Sequence, residues 1–221
     1  MVGTDDHEVR PAAGAKGLGG EPVIMATMGE DHPPYSARLE KLGIERTHVR
    51  EVKGTLTAQA FITTDLSSNQ IIAFHPGAMN HSEKNKVGDA KGVTIGMVSP
   101  DGRAGMIKHA AQFARSKIPF IFDPGQGLPM FDGKELMHFI HLATWVTVND
   151  YEGKMLCDRT GLSSAELSRH VKGLIVTLGA NGCEVWVDGQ KTLVPPVKAK
   201  QVVDPTGCGD AWRGALLFGL E

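Results

Sequence analysis

Asp204-Pro-Thr-Gly-Cys-Gly-Asp210 runs without a break into Ala211-Trp-Arg-Gly-Ala-Leu-Leu-Phe-Gly-Leu-Glu221. The second segment has helical character, which places a helix start at Gly207, Cys208 and Gly209. Gly207 and Gly209 permit backbone conformations that a residue with a Cβ resists, so the amides of this turn can point outward. The first N–H groups of a helix have no intrahelical acceptor, and the helix dipole adds partial positive charge beside them. Such an end holds a phosphate well, and a first-turn carboxylate, here Asp210, reaches a hydroxyl placed next to it. That combination suits phosphoryl transfer to an alcohol. The plainer alternative is a glycine-rich loop in which Asp210 only complements the dipole.

The totals narrow the field of partners. With 23 basic and 25 acidic residues and a formal charge of -2, the sequence gives no electrostatic case for nucleic acid or for an acidic membrane. Its 221 residues, 41% hydrophobic, supply one sizeable core. Cys157, Cys183 and Cys208 are odd in number and contain no C-x-x-C pair, which points away from a disulfide framework or a zinc site and toward a reducing cytoplasm. No apolar run approaches the roughly 20 residues that span a bilayer, and the polar, acidic N-terminus does not read as a signal peptide.

Taken in order, residues 1–15 show no periodicity and are expected to form an irregular leader. From Lys16 the pattern becomes strand, loop and helix: Val23–Thr27, then Gly29-Glu-Asp31, then Pro34–Leu42, closed by Gly43. Thr47–Val52, Ala58–Thr64 and Ile71–Phe74 read as short extended pieces, a β-rich insertion over residues 47–81 that would serve as a lid. Glu83–Lys86 reads as a solvated connection. Strands at Val93–Val98, Pro119–Asp123, Trp145–Val148 and Leu174–Leu178 then alternate with helices at Gly102–Lys117, Lys134–His141 and from Tyr151 and Ser163. Cys183–Val187 and Lys191–Val194 form a hairpin through Asp188-Gly189. Alternation of this kind predicts an α/β fold, a mainly parallel sheet with helices on both faces and a small β-lid, with residues 16–46 and 82–221 as its α/β part. Ligands of such sheets bind beyond the carboxyl ends of the strands, where Asp123–Gln126, Asn149–Glu152, Thr177–Gly182 and Asp210 are expected.

D-P-T-G-C-G-D followed by A-W-R-G-A resembles the C-terminal signature of the ribokinase-like (PfkB-type) sugar and nucleoside kinases. The resemblance implies that Asp210 is the catalytic base, that the amides of Gly207, Cys208 and Gly209 form the anion hole, and that Asp204 and Thr206 lie along the nucleotide. It extends essentially from Lys16 to Glu221. Asn149-Asp-Tyr-Glu152 allows a plain capping box; its likeness to the family's N-x-x-E element implies instead that Asn149 and Glu152 organise Mg²⁺ through water. Thr177-Leu-Gly-Ala-Asn-Gly182, otherwise an ordinary turn, is similar to the family's T-L-G-x-x-G loop, which implies that Thr177, Gly179 and Gly182 contact ATP.

Thr63-Thr-Asp65 with Phe74-His-Pro-Gly-Ala-Met79 looks like the lid of bacterial adenosine kinases, and Asp123-Pro-Gly-Gln126 like their D-P-x-Q. On that likeness Phe74, Met79 and Gln126 would contact a nucleoside, with Asp210 facing its primary hydroxyl. The likeness thus implies an ATP- and Mg²⁺-dependent adenosine kinase, with a homodimer through the lid as a further expectation. A ribose or fructose-phosphate kinase of the same fold, or a remnant that binds nucleotide without turnover, are the alternatives. Family members carry a first strand with an acceptor-gripping Asp, a G-G-x-x-x-N block and helices after the signature. None of these is present here, so an incomplete kinase, weakly active or inactive alone, is expected. His138 and His141, three apart on a helix without a third ligand, read as surface or packing residues.

Overall fold

A computed structural model of the chain describes residues 2–4, 9–65, 70–201 and 207–221. In chain order its elements are β1 (Val2–Thr4), α1 (Val9–Gly17), β2 (Ala26–Met28), α2 (Pro33–Lys41), β3 (Val49–Glu51), β4 (Gln59–Thr64), β5 (Gln70–His75), β6 (Gly96–Val98), α3 (Arg103–Arg115), β7 (Phe120–Phe122), α4 (Gly133–Leu142), β8 (Trp145–Asn149), α5 (Asp150–Thr160), α6 (Ser164–Leu167), β9 (Gly173–Thr177), β10 (Cys183–Val187), β11 (Gln190–Val194) and α7 (Cys208–Leu220). Short 3-10 helices, the longest at Gly77–Lys84, link several of them. The elements gather into two compact units, one formed by the residues up to Lys91 together with α7, the other running from Gly92 through β11.

The second unit is a six-stranded sheet in the order β11-β10-β9-β8-β7-β6. β6 to β9 are parallel, each connected to the next through helices, whereas β10 and β11 fold back antiparallel. β7 is apolar throughout because it is interior to the sheet and covered: Phe120, Ile121 and Phe122 are each 0% exposed. On α4 the buried residues Leu136, Phe139 and Ile140 recur at helical spacing, and the Phe139 ring stacks on Phe122 at 4.5 Å and meets Phe131 edge-on at 4.9 Å. Each fully buried side chain of this kind contributes about 1.5–3 kcal/mol. Asp188 (φ 50) and Gly189 (φ 80) close the β10–β11 hairpin as its sequence anticipates, two left-handed residues matching the twist of the strands.

The first unit corrects two expectations. Val9–Gly17, assigned above to an irregular leader over residues 1–15, is a helix that packs along α7. Its interface is made of small residues: a Cβ on Gly214 would overlap the Pro11 carbonyl, and one on Gly14 would lie 3.5 Å from Ala211 Cα. Such a seam leaves no hydrophobic periodicity to read, since its partner lies some two hundred positions away.

The second correction concerns β3. It pairs in parallel with β2, Ala26 opposite Val49, with α2 crossing between them, so 47–52 belongs to a β-α-β unit rather than to the lid. A core of Ala12, Ile24, Met28, Leu39 and Ile44 joins α1, α2 and this strand pair. β4 and β5 form the antiparallel hairpin expected from their alternation, and β1 adds to its β4 edge. Ser67, Ser68 and Asn69, which the sequence suggests as its turn, lie outside the described residues.

Polar side chains fasten these pieces. Asp31 accepts from the Thr57 hydroxyl (2.6 Å), the Thr57 amide (2.7 Å) and Gln59 Nε2 (3.2 Å), while the Gly29 amide donates to Thr57 Oγ1 (3.0 Å). Asn85, expected in a solvated connection, is buried. It donates to the Ala26 carbonyl (2.8 Å) and accepts from Arg50 Nε (3.1 Å), tying the end of the Gly77–Lys84 segment to β2 and β3.

Candidate active site

Helix α7 begins where its sequence predicts. Gly207 is the N-cap residue with φ 82, a left-handed conformation open to glycine, and it offers no side chain to cap the helix. The amides of Cys208, Gly209 and Asp210 are thus the first of the helix and have no intrahelical acceptor. The Cys208 side chain is exposed, so only its backbone takes part in this turn. Asp210, two residues further on, is 7% exposed. Its Oδ2 lies 3.6 Å from Arg10 Nη1 and its Oδ1 lies 3.7 Å from Arg213 Nη1, ion-pair rather than hydrogen-bond distances. Arg213 follows Asp210 by three positions on the same helix, a spacing legible in the sequence. Arg10 comes from α1 and was not anticipated. Asp204 and Thr206, assigned to the nucleotide above, lie outside the described residues.

In the second unit three expected loops sit at the carboxyl ends of adjacent parallel strands β7, β8 and β9. Asn149 and Thr177 are direct neighbours, opposite each other in the last register pair of β8 and β9, and Thr177 Oγ1 donates to the Val148 carbonyl at 3.4 Å. The loop after β9 is a 3-10 turn, Gly179–Asn181, in which the Leu178 amide donates to the Gly182 carbonyl at 2.8 Å. Gly182 runs so close to the end of β11 that a Cβ would overlap the Val194 carbonyl.

At the start of α5 the plain alternative for N-x-x-E is what the geometry displays. Asn149 Oδ1 accepts from the Glu152 amide (2.7 Å), and Glu152 Oε2 accepts from the Asn149 amide (2.8 Å). Glu152 is 8% exposed, and among the described residues no cluster of three His, Cys, Asp or Glu side chains could hold a metal directly. One carboxylate with an oxygen engaged in a cap fits a cation that keeps most of its water and takes its other ligands from phosphate, as Mg²⁺ does. It does not fit a cage built by protein.

After β7, Asp123 is buried and Gln126 exposed, at the start of the 3-10 helix Gly125–Met130. In the first unit Phe74 lies on β5 opposite Ala60 and is 44% exposed, and Met79 is half-buried in the Gly77–Lys84 helix. That helix is anchored by Thr27 Oγ1 donating to the Ala78 carbonyl (2.8 Å) and by the Ala78 amide donating to Leu56 (2.8 Å). Cys157, Cys183 and Cys208 are free thiols, and burial pushes that of Cys183 up. No helix among the described residues is long and apolar enough to cross a membrane.

A helix start with a glycine N-cap and a buried first-turn aspartate in one unit, and in the other a mainly parallel sheet whose loops gather at the carboxyl ends of its strands, define a class. The pfkB family carbohydrate kinase model matches residues 11–221, and the chain belongs to that family, with its ribokinase-like α/β fold. The match starts at Pro11, within α1 and ahead of the Lys16 onset read from sequence. The relatives within the family include nucleoside kinases and ribokinases. The Burkholderia thailandensis nucleoside kinase in complex with inosine has a TM-score of 0.92 and 47% identity, over 97% of this chain and 70% of that one. The same enzyme is also known in complex with ADP-inosine. The Methanocaldococcus jannaschii nucleoside kinase structure has a TM-score of 0.89 at 27% identity, covering 97% of this chain and 72% of that one. By sequence that enzyme is 27% identical over 208 residues, 93% of this chain and 68% of its own length. The Thermoplasma acidophilum nucleoside kinase is 30% identical over 189 residues, 86% of this chain and 60% of its own. The chain thus spans about two thirds of the length of these relatives or less.

Proposed function

We propose that this chain is an ATP-dependent kinase that phosphorylates the primary hydroxyl of a purine nucleoside. The observation that carries the reading is the start of α7: a left-handed Gly207, uncapped first-turn amides and a buried Asp210 one residue beyond them. Asp210 accepts the proton of the acceptor hydroxyl as that oxygen bonds to the γ-phosphorus and the bond to the β,γ-bridging oxygen breaks, releasing ADP. The amides of Gly207, Cys208 and Gly209 hold the oxygens of the transferring group, where a preorganised donor is worth about 10²- to 10³-fold in rate.

Thr177, Gly179 and Gly182, with Asp204 and Thr206, run along the nucleotide, while Phe74, Met79 and Gln126 contact the nucleoside. Residues Asn149 and Glu152 would hold the water shell of Mg²⁺, which when bound neutralises phosphate charge. The β4–β5 hairpin is the lid, excluding water that would otherwise take the phosphoryl group. Its exposed Phe61 and Ile71 suit pairing with a second copy through the lid, which light scattering of the purified chain tests. A kinase of this kind works in the cytoplasm.

Adenosine and inosine are the first acceptors to try, the latter because a 47%-identical relative is described with it. The test is product formation from [γ-³²P]ATP with adenosine, inosine, ribose and fructose 6-phosphate, comparing the wild-type chain with Asp210→Asn. Transfer to a nucleoside that disappears in Asp210→Asn is the expected result. Transfer only to a sugar moves the acceptor class to the ribokinases. A folded chain that binds ADP and transfers nothing is the remnant anticipated from sequence.

A further inference from the structure

The amino ends of β2 and β3 border a cavity of about 370 Å³ that the proposed reaction leaves unused. Met25 stands just ahead of β2, His48 and Arg50 come from the start of β3, and Asn85, Lys86 and Asp89 come from the chain that follows the Gly77–Lys84 helix. No residue assigned to nucleotide, nucleoside or Mg²⁺ lines it. It lies at the opposite end of the strand pair from Gly29 and Asp31, where β2 ends and the hydrogen bonds to Thr57 are made. Its size falls within the roughly 300–1,000 Å³ of small-molecule sites.

The polar lining is held in place but not used up. Asn85, 4% exposed, accepts from Arg50 Nε at 3.1 Å and donates to the Ala26 carbonyl at 2.8 Å, so a buried amide fixes the guanidinium against the strand pair. The Nη groups of Arg50 make no hydrogen bond or ion pair to any described residue, and neither do the side chains of Lys86, His48 and Asp89. Elsewhere Lys154 pairs with Asp158 and Lys191 with Glu184. Here two cations and a carboxylate share one cavity and leave one another unpaired.

We propose that this cavity is a second small-molecule site, separate from the start of α7, and that it takes a phosphate monoester of a sugar or nucleoside. The Nη groups of Arg50 offer a planar fork that meets two phosphate oxygens at once, and Lys86 adds a compact charge with three donors. The His48 ring supplies a further N–H. Asp89 would repel a bare phosphate, whereas its carboxylate accepts from the hydroxyls of a sugar carried with the phosphate. A lone phosphate, only a few times the roughly 30 Å³ share of a water molecule, also leaves most of the cavity unfilled. The organic part of a monoester fills that space beside Met25. The assignment stands without the kinase reading, although a nucleoside monophosphate, the product of the proposed reaction, belongs to the same ligand class.

Titration calorimetry of the full chain with ribose 5-phosphate, AMP and inorganic phosphate, at one ionic strength, tests the assignment. Wild type is expected to bind ribose 5-phosphate or AMP with a Kd below about 1 mM. Lys86→Gln and Arg50→Gln should each weaken that binding at least about tenfold, the loss of a hydrogen bond to a charged group. Lys154→Gln, which removes an equal charge from the exposed face of α5, should bind as wild type does. Arg50→Gln also gives up the hold on Asn85, so Lys86→Gln, exposed and bonded to nothing among the described residues, keeps the comparison clear of any effect on folding. No binding of any probe up to about 10 mM overturns the proposal. So does a Kd that Lys86→Gln leaves unchanged, since the probe is then held elsewhere, at the start of α7 for example. Inorganic phosphate binding as tightly as the esters overturns the monoester assignment and leaves a site for free phosphate. Turnover does not enter these outcomes, so failure of the kinase reading and failure of this proposal remain distinguishable.

Discussion

Helices α5 and α7 both begin with an acid at their third position, and they use it in opposite ways. At α5 Glu152 turns back to the Asn149 amide while Asn149 caps the Glu152 amide, so two donors that the helix leaves orphaned are satisfied within the chain. α4 and α6 do the same with Asp132 and Glu135 and with Ser163 and Glu166. The Ser163 hydroxyl and amide hold the Glu166 carboxyl below its ordinary value, as expected for an acid committed to a cap. At α7 the N-cap is Gly207, no side chain caps the helix, and Asp210 faces two guanidiniums rather than the cap amide. Three helix starts are closed by their own side chains, whereas α7, like α2 and α3, has no side-chain cap. The open start of α7 costs the fold a stabilising cap of about 1 kcal/mol, and it retains amides and an acid for something outside the chain.

Four substitutions would break or sharpen this contrast. Asp210→Asn should lower turnover by about 10²- to 10⁴-fold with the thermal midpoint nearly unchanged, since the side chain makes ion pairs but no cap. A large loss of stability in a differential scanning calorimetry trace would mean that Asp210 is structural after all, like Glu152. Gly214→Val should force α1 off α7, at about 1–3 kcal/mol for the overpacked seam, and carry Arg10 away from Asp210 with it. Chemical denaturation of the variant measures that loss, and an unchanged midpoint would mean that the seam is not close-packed.

Asn149→Ala should cost about 0.5–2 kcal/mol, a drop of roughly 2–4 °C per kcal/mol, and affect turnover less than Asp210→Asn. Equal effects on turnover would place the start of α5 among the chemistry. The smallest effect concerns Asp31. Burial alone would raise its pKa, but hydrogen bonds from the Thr57 hydroxyl and amide and from Gln59 outweigh this and hold it below its ordinary 3.8. The native value is the lower one, so the contribution is complete above the unfolded value and is lost as pH falls through the native one. Melting curves between about pH 6 and pH 3 should therefore fall less steeply for Asp31→Asn than for wild type.

Much of this was legible before any coordinates. β7 announces itself as an interior strand by three consecutive apolar residues, and the start of α7 by glycines at 207 and 209 ahead of a helical run. The Asp188-Gly189 turn names its own hairpin. What was misread depended on partners distant in sequence. β3 was grouped with the lid because a short extended segment carries no mark of which strand it will pair with. α1 reads as irregular chain because a helix seated through alanine, proline and glycine has no apolar stripe. Asn85 looked solvated because a single polar residue gives no sign that a carbonyl 59 positions earlier awaits its amide.

By itself, then, the sequence determined the elements whose cause is local: turn chemistry at Gly207 and Asp188-Gly189, periodicity in α4, capping residues at α4, α5 and α6, and through them the family. Tertiary structure alone decided what surrounds the acid at the start of α7. Asn149 and Glu152 are spaced for a cap and fold into one, because both partners lie within a single turn. The environment of Asp210 is set by Arg10, two hundred residues away, brought there by a seam whose only requirement is that two helices approach closely enough to leave no room for a side chain.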